Sequence, residues 1–401
     1  MRRVTHPLLA ALAASLPFAL AASVVAACAS SEDAPQAPQG DGGAPEASGP
    51  ADGGDDDAGD AGARDAEART CSDQGFCHET LPPNETLRGV WGDGATVWAV
   101  SEQGDVLRWD GQTWSVHAKK LGALYAIWGA GPTDVWIGGA AGLFHGTGAS
   151  PQALVFEPSD APGDADVPIL SIWGSGPDDV FAVGGALGAD FMPRGRVLHR
   201  GGADGGAGWE LDPISSVPLA FKRVWGSTAS GTWIAGDDGS DFSQTSGLFA
   251  RAPGESELAP ITIDAFAPDE GPEQGVPGSI SGAGMMADGR VVVMGRTKSS
   301  TPSFWYGASG DGGAPVWTYE GRGLDDLALY AVWSNGGNET WVAGDYGRLR
   351  SSSGGKWKQA ALMIATFPVI APLHAMWGTS PDDFWIVGRD IAIHRTPGKK
   401  P

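Results

Sequence analysis

Short segments in which apolar and polar residues alternate recur along residues 87–388 and dominate the pattern of the sequence. Each copy has an alternating segment that ends in Trp-Gly, a turn rich in Gly, Pro and Asp, and a second segment centred on Trp or Phe. The clearest copies are LRGVWGDGATVWAV (87–100), LYAIWGAGPTDVWIGG (124–139), ILSIWGSGPDDVFAVGG (169–185), FKRVWGSTASGTWIAG (221–236), LYAVWSNGGNETWVAG (329–344) and LHAMWGTSPDDFWIVG (373–388). Alternation with a period of two over so few residues predicts β-strands.

The repeats number seven when a weaker copy, ISGAGMMADGRVVVMG (280–295), is aligned with Gly284 at the first Trp position. The first aromatic positions are then about 48 residues apart. A third strand follows in segments such as VLRW (106–109) and IAIH (391–394), and a fourth begins near aromatic residues such as Trp114 and Trp209. Seven repeats of four strands predict an all-β fold, a seven-bladed β-propeller of four-stranded blades.

The ends of the repeat region indicate how the ring closes. The last repeat stops after its third strand near Thr396, and residues 75–83 lack a repeat core. Phe76 precedes Leu87 by about the interval that separates a fourth strand from the next repeat. We therefore expect residues 76–80 to supply the fourth strand of the last blade, which removes an exposed sheet edge. The predicted propeller domain is 71–401.

The N-terminus has the pattern of a signal peptide over residues 1–27, with two early arginines and an Ala-rich apolar stretch. Its closing tetrad VAAC (25–28) resembles the lipobox of bacterial lipoproteins. That resemblance implies that Cys28 becomes a lipidated first residue with acyl chains such as palmitate. Because Ala29 is not Asp, it also implies an outer-membrane lipoprotein, on the periplasmic side or the cell surface. The alternatives are an ordinary Ala-x-Ala cleavage site and a transmembrane helix interrupted by Pro17.

Residues 28–70 predict a disordered tether between the lipid anchor and the propeller. Residues 29–70 contain 11 Asp/Glu and 2 Arg and no aromatic or large aliphatic residue, so they cannot bury enough apolar surface to fold. The acidic run 52–60 lacks the ligand spacing of a calcium loop. Of the 3 Cys, lipidation of Cys28 leaves Cys71 and Cys77, which we expect to form a disulfide in an oxidising compartment.

Charge and composition exclude several function classes. The chain has 401 residues with 26 Lys+Arg against 48 Asp+Glu, a net charge of −22, which disfavours a nucleic-acid or anionic-membrane surface. We therefore predict no nucleic-acid partner. We also predict no metal centre, because no HExxH or CxxC motif occurs. His145, His199 and His394 occupy one third-strand position in different blades, which lie far apart around the ring. The recurring Trp residues are predicted to pack between blades; the alternative is a sugar-stacking ring.

Functional residues are expected on one face of the ring, here named the loop face, which carries the loops joining strands 2 to 3 and 4 to 1. The long insertions 157–168, 185–195, 236–246, 253–278 and 296–303 are all assigned to it, and variable loops on a rigid scaffold commonly bind partners. The polar candidates are Asp190, Arg194, Asp237, Asp238, Asp241, Arg296, Asp345, Tyr346, Arg389 and Asp390. Asp237, Asp238 and Asp241 could hold a calcium ion; a solvated acidic loop is the alternative.

Residues 71–401 resemble the seven-bladed propeller lipoproteins with VWG...DVWAVG repeats found in myxobacteria, and more distantly BNR and kelch propellers. This resemblance implies the fold and transfers no reaction. RWDGQTW (108–114) is similar to the Asp-box of sialidases but departs from it, because Asp110 and Gly111 are adjacent. The favoured hypothesis is a non-catalytic, lipid-anchored binding or scaffold module for a protein or glycan partner. The alternative is a carbohydrate-active hydrolase or lyase that uses loop-face carboxylates.

Overall fold

The computed structural model describes residues 71–201, 208–240, 242–308, 314–323, 325, 327–335, 337–354, 356–364 and 367–396. The predicted signal peptide and tether, the lipidation site Cys28 and the loop residue Asp241 lie outside the described residues. Within the described part, the chain forms seven four-stranded antiparallel sheets arranged as the blades of a propeller. The predicted fold class is therefore confirmed.

Each of the first three blades is built from four consecutive strands. Blade 1 contains β2 (Leu87–Gly92), β3 (Val97–Ser101), β4 (Val106–Trp109) and β5 (Trp114–Ala118). Blade 2 contains β6 (Leu124–Gly131), β7 (Asp134–Gly139), β8 (Gly142–Thr147) and β9 (Val155–Ser159). Blade 3 contains β10 (Ile169–Gly176), β11 (Asp179–Leu187), β12 (Pro193–Arg200) and β13 (Trp209–Leu211).

The remaining blades follow the same order until the ring closes. Blade 4 contains β14 (Ala220–Ser227), β15 (Gly231–Asp237), β16 (Ser246–Arg251) and β17 (Ala259–Ile261). Blade 5 contains β18 (Pro277–Met285), β19 (Val291–Thr297), β20 (Pro302–Ala308) and β21 (Val316–Gly321). Blade 6 contains β22 (Leu329–Ser334), β23 (Thr340–Gly344), β24 (Leu349–Ser352) and β25 (Lys358–Gln359). Blade 7 contains β28 (Leu373–Ser380), β29 (Asp383–Gly388), β30 (Ile391–Arg395) and β1 (Phe76–His78).

Short elements lie in the connections between the blade strands. A small hairpin of β26 (Met363–Ile364) and β27 (Phe367–Pro368) joins blade 6 to blade 7. The helical elements of the described part are α1 (Gly271–Gln274) and three 3-10 turns at Pro151–Ala153, Pro213–Ser216 and Asp345–Gly347. None of the helices in the described residues is long and apolar enough to cross a membrane.

Ring closure follows the sequence prediction. Strand β1 pairs with β30, Phe76 opposite Arg395, and so completes blade 7. Cys71 and Cys77 form the predicted disulfide next to this strand. The side chain of Phe76 is fully buried and contacts the rings of Trp341 and Phe384 edge-on. Hydrogen bonds and aromatic packing thus hold the N-terminal strand in blade 7, and the disulfide joins Cys77 of this strand to the segment that precedes it.

The Trp-Gly dipeptide has a specific packing role at the junctions between blades. The first Trp of one blade lies against the Gly that follows the first Trp of the next blade. A Cβ atom on Gly129 would lie 2.4 Å from the ring of Trp91, and one on Gly174 would lie 2.8 Å from the ring of Trp128. The glycine is required because a side chain there would collide with the neighbouring indole.

The second aromatic series is buried between the sheets, as the sequence predicted for packing residues. Within the described residues, each of the seven junctions has its own apolar cluster. Trp385 of blade 7 contacts Trp109 and Trp114 of blade 1, and Trp136 of blade 2 contacts Trp209 of blade 3. Large rings of this kind each bury about 150–250 Å². Packing between blades therefore accounts for them.

The three equivalent histidines have a structural role in their own blades. His145 stacks on Trp136 with ring centroids 3.9 Å apart, and His394 stacks on Trp385 at 4.1 Å. His199 stacks in the same way on a phenylalanine of blade 3. Each imidazole also hydrogen-bonds an aspartate at the start of the second strand, at 2.7 to 2.9 Å. These contacts join strands 2 and 3 at three points around the ring.

One assignment made from the sequence is wrong. Insertion 253–278 was placed wholly on the loop face, but it contains β17, the fourth strand of blade 4. Residues 252–258 therefore join strands 3 and 4 and lie on the opposite face, here named the turn face, which carries the 1-to-2 turns and the 3-to-4 loops. Only residues 262–276 belong to the loop face. The short strand was missed because its API sequence shows no alternation.

Candidate functional site

A β-bulge in the first strand of every blade aims one residue at the central tunnel. In blade 1, Leu87 pairs with Ser101 and Gly89 with Val100, so Arg88 is the extra residue. The same register shift occurs in the other six blades. The bulged residues are Arg88, Tyr125, Leu170, Lys222, Ser281, Tyr330 and His374. Bulges commonly redirect a side chain next to a binding site.

All seven bulged residues line one cavity of about 330 Å³ at the loop-face end of the tunnel, which we name the tunnel mouth. Glu102 and Arg223 complete its lining. Three cationic side chains and one carboxylate thus surround the tunnel mouth, in a protein whose net charge is −22. Two further carboxylates, those of Asp237 and Asp345, lie directly behind this lining.

Acidic residues at the end of the second strand hold three of the bulged side chains in place. The guanidinium of Arg88 donates two hydrogen bonds to the carboxylate of Glu102. The ammonium of Lys222 lies 2.6 Å from the buried carboxylate of Asp237. In blade 6 the hydroxyl of Tyr330 donates to Asp345 Oδ2 at 2.9 Å, and burial together with that carboxylate raises the pKa of Tyr330 to about 12. These side chains are therefore preorganised.

Burial and neighbouring positive charges shift the pKa values of two basic residues of the tunnel mouth. Burial lowers the pKa of the Arg223 guanidinium, and the nearby charge of Arg88 lowers it further. Burial also lowers the pKa of His374, with Arg88 and Arg389 adding to the effect. Nδ1 of His374 lies 2.9 Å from the carbonyl of Leu87. His374 is therefore neutral at pH 7.

A second cavity of about 400 Å³ adjoins the tunnel mouth on the loop face and shares Lys222, Ser281 and Tyr330 with it. Its lining adds Arg296 and Arg322. The guanidinium of Arg296 donates to the carbonyl of Ser300 at 2.9 Å. The two cavities thus form a continuous groove from the tunnel across blades 5 and 6, with cationic groups along its length.

Large apolar side chains are exposed on the same face. Phe191 is 80% exposed and Met192 56% in the 2-to-3 loop of blade 3, and Phe242 is 82% exposed in the corresponding loop of blade 4. The two loops approach each other where a Cβ on Gly239 would lie 3.8 Å from Leu187. Exposed phenylalanines at adjacent loops are typical of a contact surface.

Two exposed aromatic residues adopt backbone conformations that normally favour glycine. Phe191 has φ of 60° and Tyr346 has φ of 51°, and both lie in 2-to-3 turns. The left-handed region costs a residue with a side chain roughly 1–2 kcal/mol. In turns with the same hydrogen bonds, Gly104 of blade 1 and Ser300 of blade 5 occupy the position of Phe191. Aromatic residues held in a strained conformation at loop tips are characteristic of functional sites.

The acidic loop proposed from the sequence as a calcium site is held together by hydrogen bonds within the protein. Asp237 Oδ2 accepts from Lys222 and from the backbone N–H of Ile280, and its other oxygen accepts from Gly239. Asp238 accepts four backbone and hydroxyl hydrogen bonds inside the loop, which lower its pKa to about 2. Both carboxylates are therefore already occupied by N–H and O–H donors.

The other sequence candidates lie around this centre. Arg194 bridges Asp190 and Asp164 at the rim of blade 3. Arg389 is exposed in the 2-to-3 turn of blade 7, and the N–H of Asp390 donates to Glu85 in the closing segment. Asp237, Arg296, Asp345 and Arg389 occupy one equivalent position, the end of strand 2. Asp237 and Asp345 bond side chains of the tunnel mouth, and Arg296 lines the adjoining cavity. Asp190 and Arg194 do not join them.

A cavity of about 700 Å³ lies on the turn face between blades 3 and 4. Its lining includes Asp179, whose carboxylate accepts from His199, Arg251 and Ser175 and has its pKa lowered by these bonds. The hydroxyl of Ser175 donates to Asp179 and not to His199, so the group cannot activate a serine nucleophile. We interpret the cluster as a junction between blades, because Arg251 also lies over the ring of Phe181.

Sequence reasoning missed the residues of the tunnel mouth. It selected polar residues in long loops, whereas Arg88, Lys222, Arg223 and His374 lie in first strands. The sequence did contain a signal for them. The residue that follows the first apolar residue of each repeat, Arg88 in blade 1, changes its chemical type from blade to blade. A further signal was Arg223, whose equivalents in the other blades are Gly89, Ala126, Ser171, Gly282, Ala331 and Ala375.

No protein-family model matches the chain, and no curated protein matches it. Solved structures with the same fold include YCF48 bound to D1 peptide, with a TM-score of 0.57, 17% identity, and coverage of 82% of this chain and 99% of that one. The extracellular domain of a putative one-component system from B. thetaiotaomicron has a TM-score of 0.55 and 11% identity over 80% of this chain and 40% of that one.

The WD40 repeats of RRP9 are similar to the same degree, with a TM-score of 0.55 and 10% identity over 82% of this chain and 98% of that one. All three likenesses are at low identity and concern the fold alone. They agree with the strand pairing in placing the chain among seven-bladed β-propellers.

Proposed function

We propose that the protein is a non-catalytic binding module that is anchored outside the cytoplasm by a lipid on Cys28. Its loop face binds an extended segment of a protein partner. The observation that carries this proposal is the pair of exposed loops in blades 3 and 4. Phe191 and Phe242 are each at least four-fifths exposed, on loops based on a rigid ring. Aromatic side chains of this kind supply much of the binding energy in protein interfaces.

The backbone strain at Phe191 supports the same conclusion. A glycine would adopt its φ of 60° without cost, and the ring of Phe191 is 80% exposed, so the residue gains little from packing in the free protein. A strained, exposed phenylalanine is best explained by contacts made in a complex. The fold neighbour YCF48, whose structure is described as bound to D1 peptide, offers a precedent for a peptide partner on this fold.

The anchoring part of the proposal rests on the sequence. The VAAC tetrad (25–28), the acidic tether that follows it and the disulfide between Cys71 and Cys77 are mutually consistent with an extracytoplasmic lipoprotein. Two or more acyl chains would hold it firmly, whereas a single chain binds only marginally. Sorting to the outer membrane is part of this proposal, on the identity of Ala29.

The hydrolase alternative receives less support. Glycoside hydrolysis needs one carboxylic acid that donates a proton and one free carboxylate. On the loop face, Asp237 and Asp238 are occupied by N–H and ammonium donors, and Asp345 accepts from Tyr330. These carboxylates position loops and tunnel residues. We therefore favour binding over turnover.

The experiment compares capture of envelope proteins by the full-length lipoprotein and three variants. Phe191→Gly removes the ring and relieves the backbone strain, and Phe242→Ser removes the second ring. Val155→Ser is the matched control, an exposed apolar residue on the turn face. Each loop-face change is expected to weaken partner binding at least tenfold without lowering the melting temperature.

Equal capture by Phe191→Gly and wild type would contradict the proposal. Release of new reducing ends from a polysaccharide panel would instead favour the hydrolase. Retention of a purified glycan with no loss in the two phenylalanine variants would assign the surface to a sugar.

A further inference from the structure

We propose that the tunnel mouth and its adjoining cavity form a carboxylate-binding groove that takes an acidic segment of the partner. This inference rests on the proposed function for the nature of the partner, but on separate residues for the site. The residues that carry it are Arg223, Arg88 and Arg296. None of them belongs to the exposed phenylalanine loops.

Arg223 is the most informative residue of the groove. The other six blades have Gly, Ala or Ser at its position, so packing of the repeat does not require a long cationic side chain there. Its guanidinium donates to the backbone carbonyl of Tyr330 at 2.8 Å. Among the described residues it forms no ion pair with a carboxylate. An arginine has five N–H donors, so several remain to bind a ligand.

The surroundings of Arg223 make an anionic ligand favourable. Arg88 and Arg223 line one cavity and their positive charges repel each other, and burial of a guanidinium is costly unless an anion compensates for it. The carboxylates of Glu102 and Asp237 hold Arg88 and Lys222 but leave Arg223 without an acidic partner. Charge-assisted hydrogen bonds to a carboxylate would fill this gap.

The shape of the groove indicates more than one carboxylate on an extended chain. The two cavities, of about 330 Å³ and 400 Å³, share Lys222, Ser281 and Tyr330 and so are continuous. Arg223 lies in the first, and Arg296 in the second. On the other side of the tunnel mouth, Tyr125 and Leu170 of blades 2 and 3 supply apolar wall between Arg88 and Lys222. An extended peptide that places acidic side chains at the cationic groups and apolar side chains against this wall matches the lining.

The probe is a short synthetic peptide in which Glu alternates with Leu, and its counterpart with Gln in place of Glu. Calorimetry with the full-length protein measures the dissociation constant of each. The acidic peptide is expected to bind at least about tenfold more tightly than the Gln peptide, and its binding to weaken as salt increases. Chemical shifts of the His374 ring report whether the peptide enters the tunnel mouth.

Two variants and a control locate the site. Arg223→Gln is expected to weaken binding of the acidic peptide by about tenfold or more, and Arg296→Gln is expected to weaken it by a smaller factor. Lys356→Gln removes one exposed positive charge on the turn face and should leave binding unchanged. If Arg223→Gln lowers the melting temperature, Arg296→Gln still tests whether the groove binds carboxylates, because Arg296 lines only the adjoining cavity.

Equal affinities for the acidic and Gln peptides would overturn the inference, as would full binding by both arginine variants. Tighter binding of inorganic phosphate or a sulfated oligosaccharide than of the acidic peptide would also overturn it and identify a different anion. Failure here is distinguishable from failure of the proposed function. In that case Phe191→Gly still abolishes partner capture while both arginine variants retain it.

Discussion

At the scale of single residues, the glycine of each Trp-Gly pair explains why the repeat is so regular. The ring of Trp91 occupies the space that a side chain on Gly129 would need, at a distance of 2.4 Å. An indole cannot move away easily, because it is confined between two sheets. The dipeptide is thus one contact made by two neighbouring blades, and neither residue is conformationally free to change alone.

We therefore expect Gly129→Ala to destabilise the protein by about 1–3 kcal/mol, the usual cost of overpacking. Gly131→Ala is the matched control, because it lies in the same strand and a Cβ there would meet nothing within 4 Å. Chemical denaturation of both variants measures the difference. Equal unfolding free energies would show that the Trp-Gly contact does not constrain the junction.

Glu85 is a buried acid next to the closing strand, and it gives a prediction with a defined sign. Burial raises its pKa from the usual 4.5, Asp105 raises it further, and its Oε2 has no hydrogen-bond partner among the described residues. A carboxyl with a raised pKa in the folded state stabilises the fold below its unfolded pKa and loses that effect as pH rises through the folded pKa. Ionised Glu85 therefore destabilises the protein at neutral pH.

Glu85→Gln should accordingly raise the unfolding free energy at pH 7. The difference between variant and wild type should shrink as the pH falls toward 4.5, where the native acid is protonated. Glu273→Gln, at an exposed position, corrects for the loss of one negative charge. A variant less stable than wild type at pH 7, or a difference independent of pH, would refute this account of Glu85.

At the scale of elements, the closing strand β1 is short and depends on its attachments. Three residues pair with β30, and the disulfide between Cys71 and Cys77 closes a loop with a sequence separation of 6. In the chain-entropy model such a loop contributes about 2 kcal/mol. The double variant Cys71→Ser/Cys77→Ser should lose about that amount in denaturation experiments. Unchanged stability would mean that pairing with β30 and the burial of Phe76 suffice to close the ring.

Most elements were predictable from the sequence because each repeat contains the alternating pattern of its own strands. Alternation located first and second strands, and even the displaced β1 was recognised from the spacing between Phe76 and Leu87. The short β17 was not predictable from the sequence. Two of its three residues are exposed, and it is a strand only because it pairs with β16. The bulges at Arg88 and its equivalents were also unpredictable, because a bulge depends on the register of the partner strand.

At the scale of the whole molecule, the candidate site exists only because the ring closes. Arg88 and Tyr330 are far apart in sequence, and each is an ordinary strand residue in its own blade. Sevenfold repetition brings the bulged positions together around one tunnel mouth. Loop reasoning found Asp237, Arg296 and Asp345, which support this centre, but could not find the centre itself. Convergence of equivalent positions is a property of the assembled ring.

The two faces of the ring differ in the residues they expose, and we assign partner binding to the loop face. The loop face carries the tunnel mouth and the exposed rings of Phe191, Phe242 and Tyr346. The turn face carries the larger cavity between blades 3 and 4, whose Asp179 is fixed by bonds within the protein. A surface that combines preorganised polar groups with exposed aromatic rings is well suited to bind a partner.

Photo-crosslinking of the anchored protein in intact envelopes tests this claim most directly. A crosslinking amino acid is placed singly at Phe242 and Tyr346 on the loop face, and at Val155 and Val316 on the turn face, all exposed positions. We expect a discrete protein adduct from both loop-face sites and none from the turn-face sites. Adducts from Val155 or Val316, with none from Phe242 and Tyr346, would contradict it.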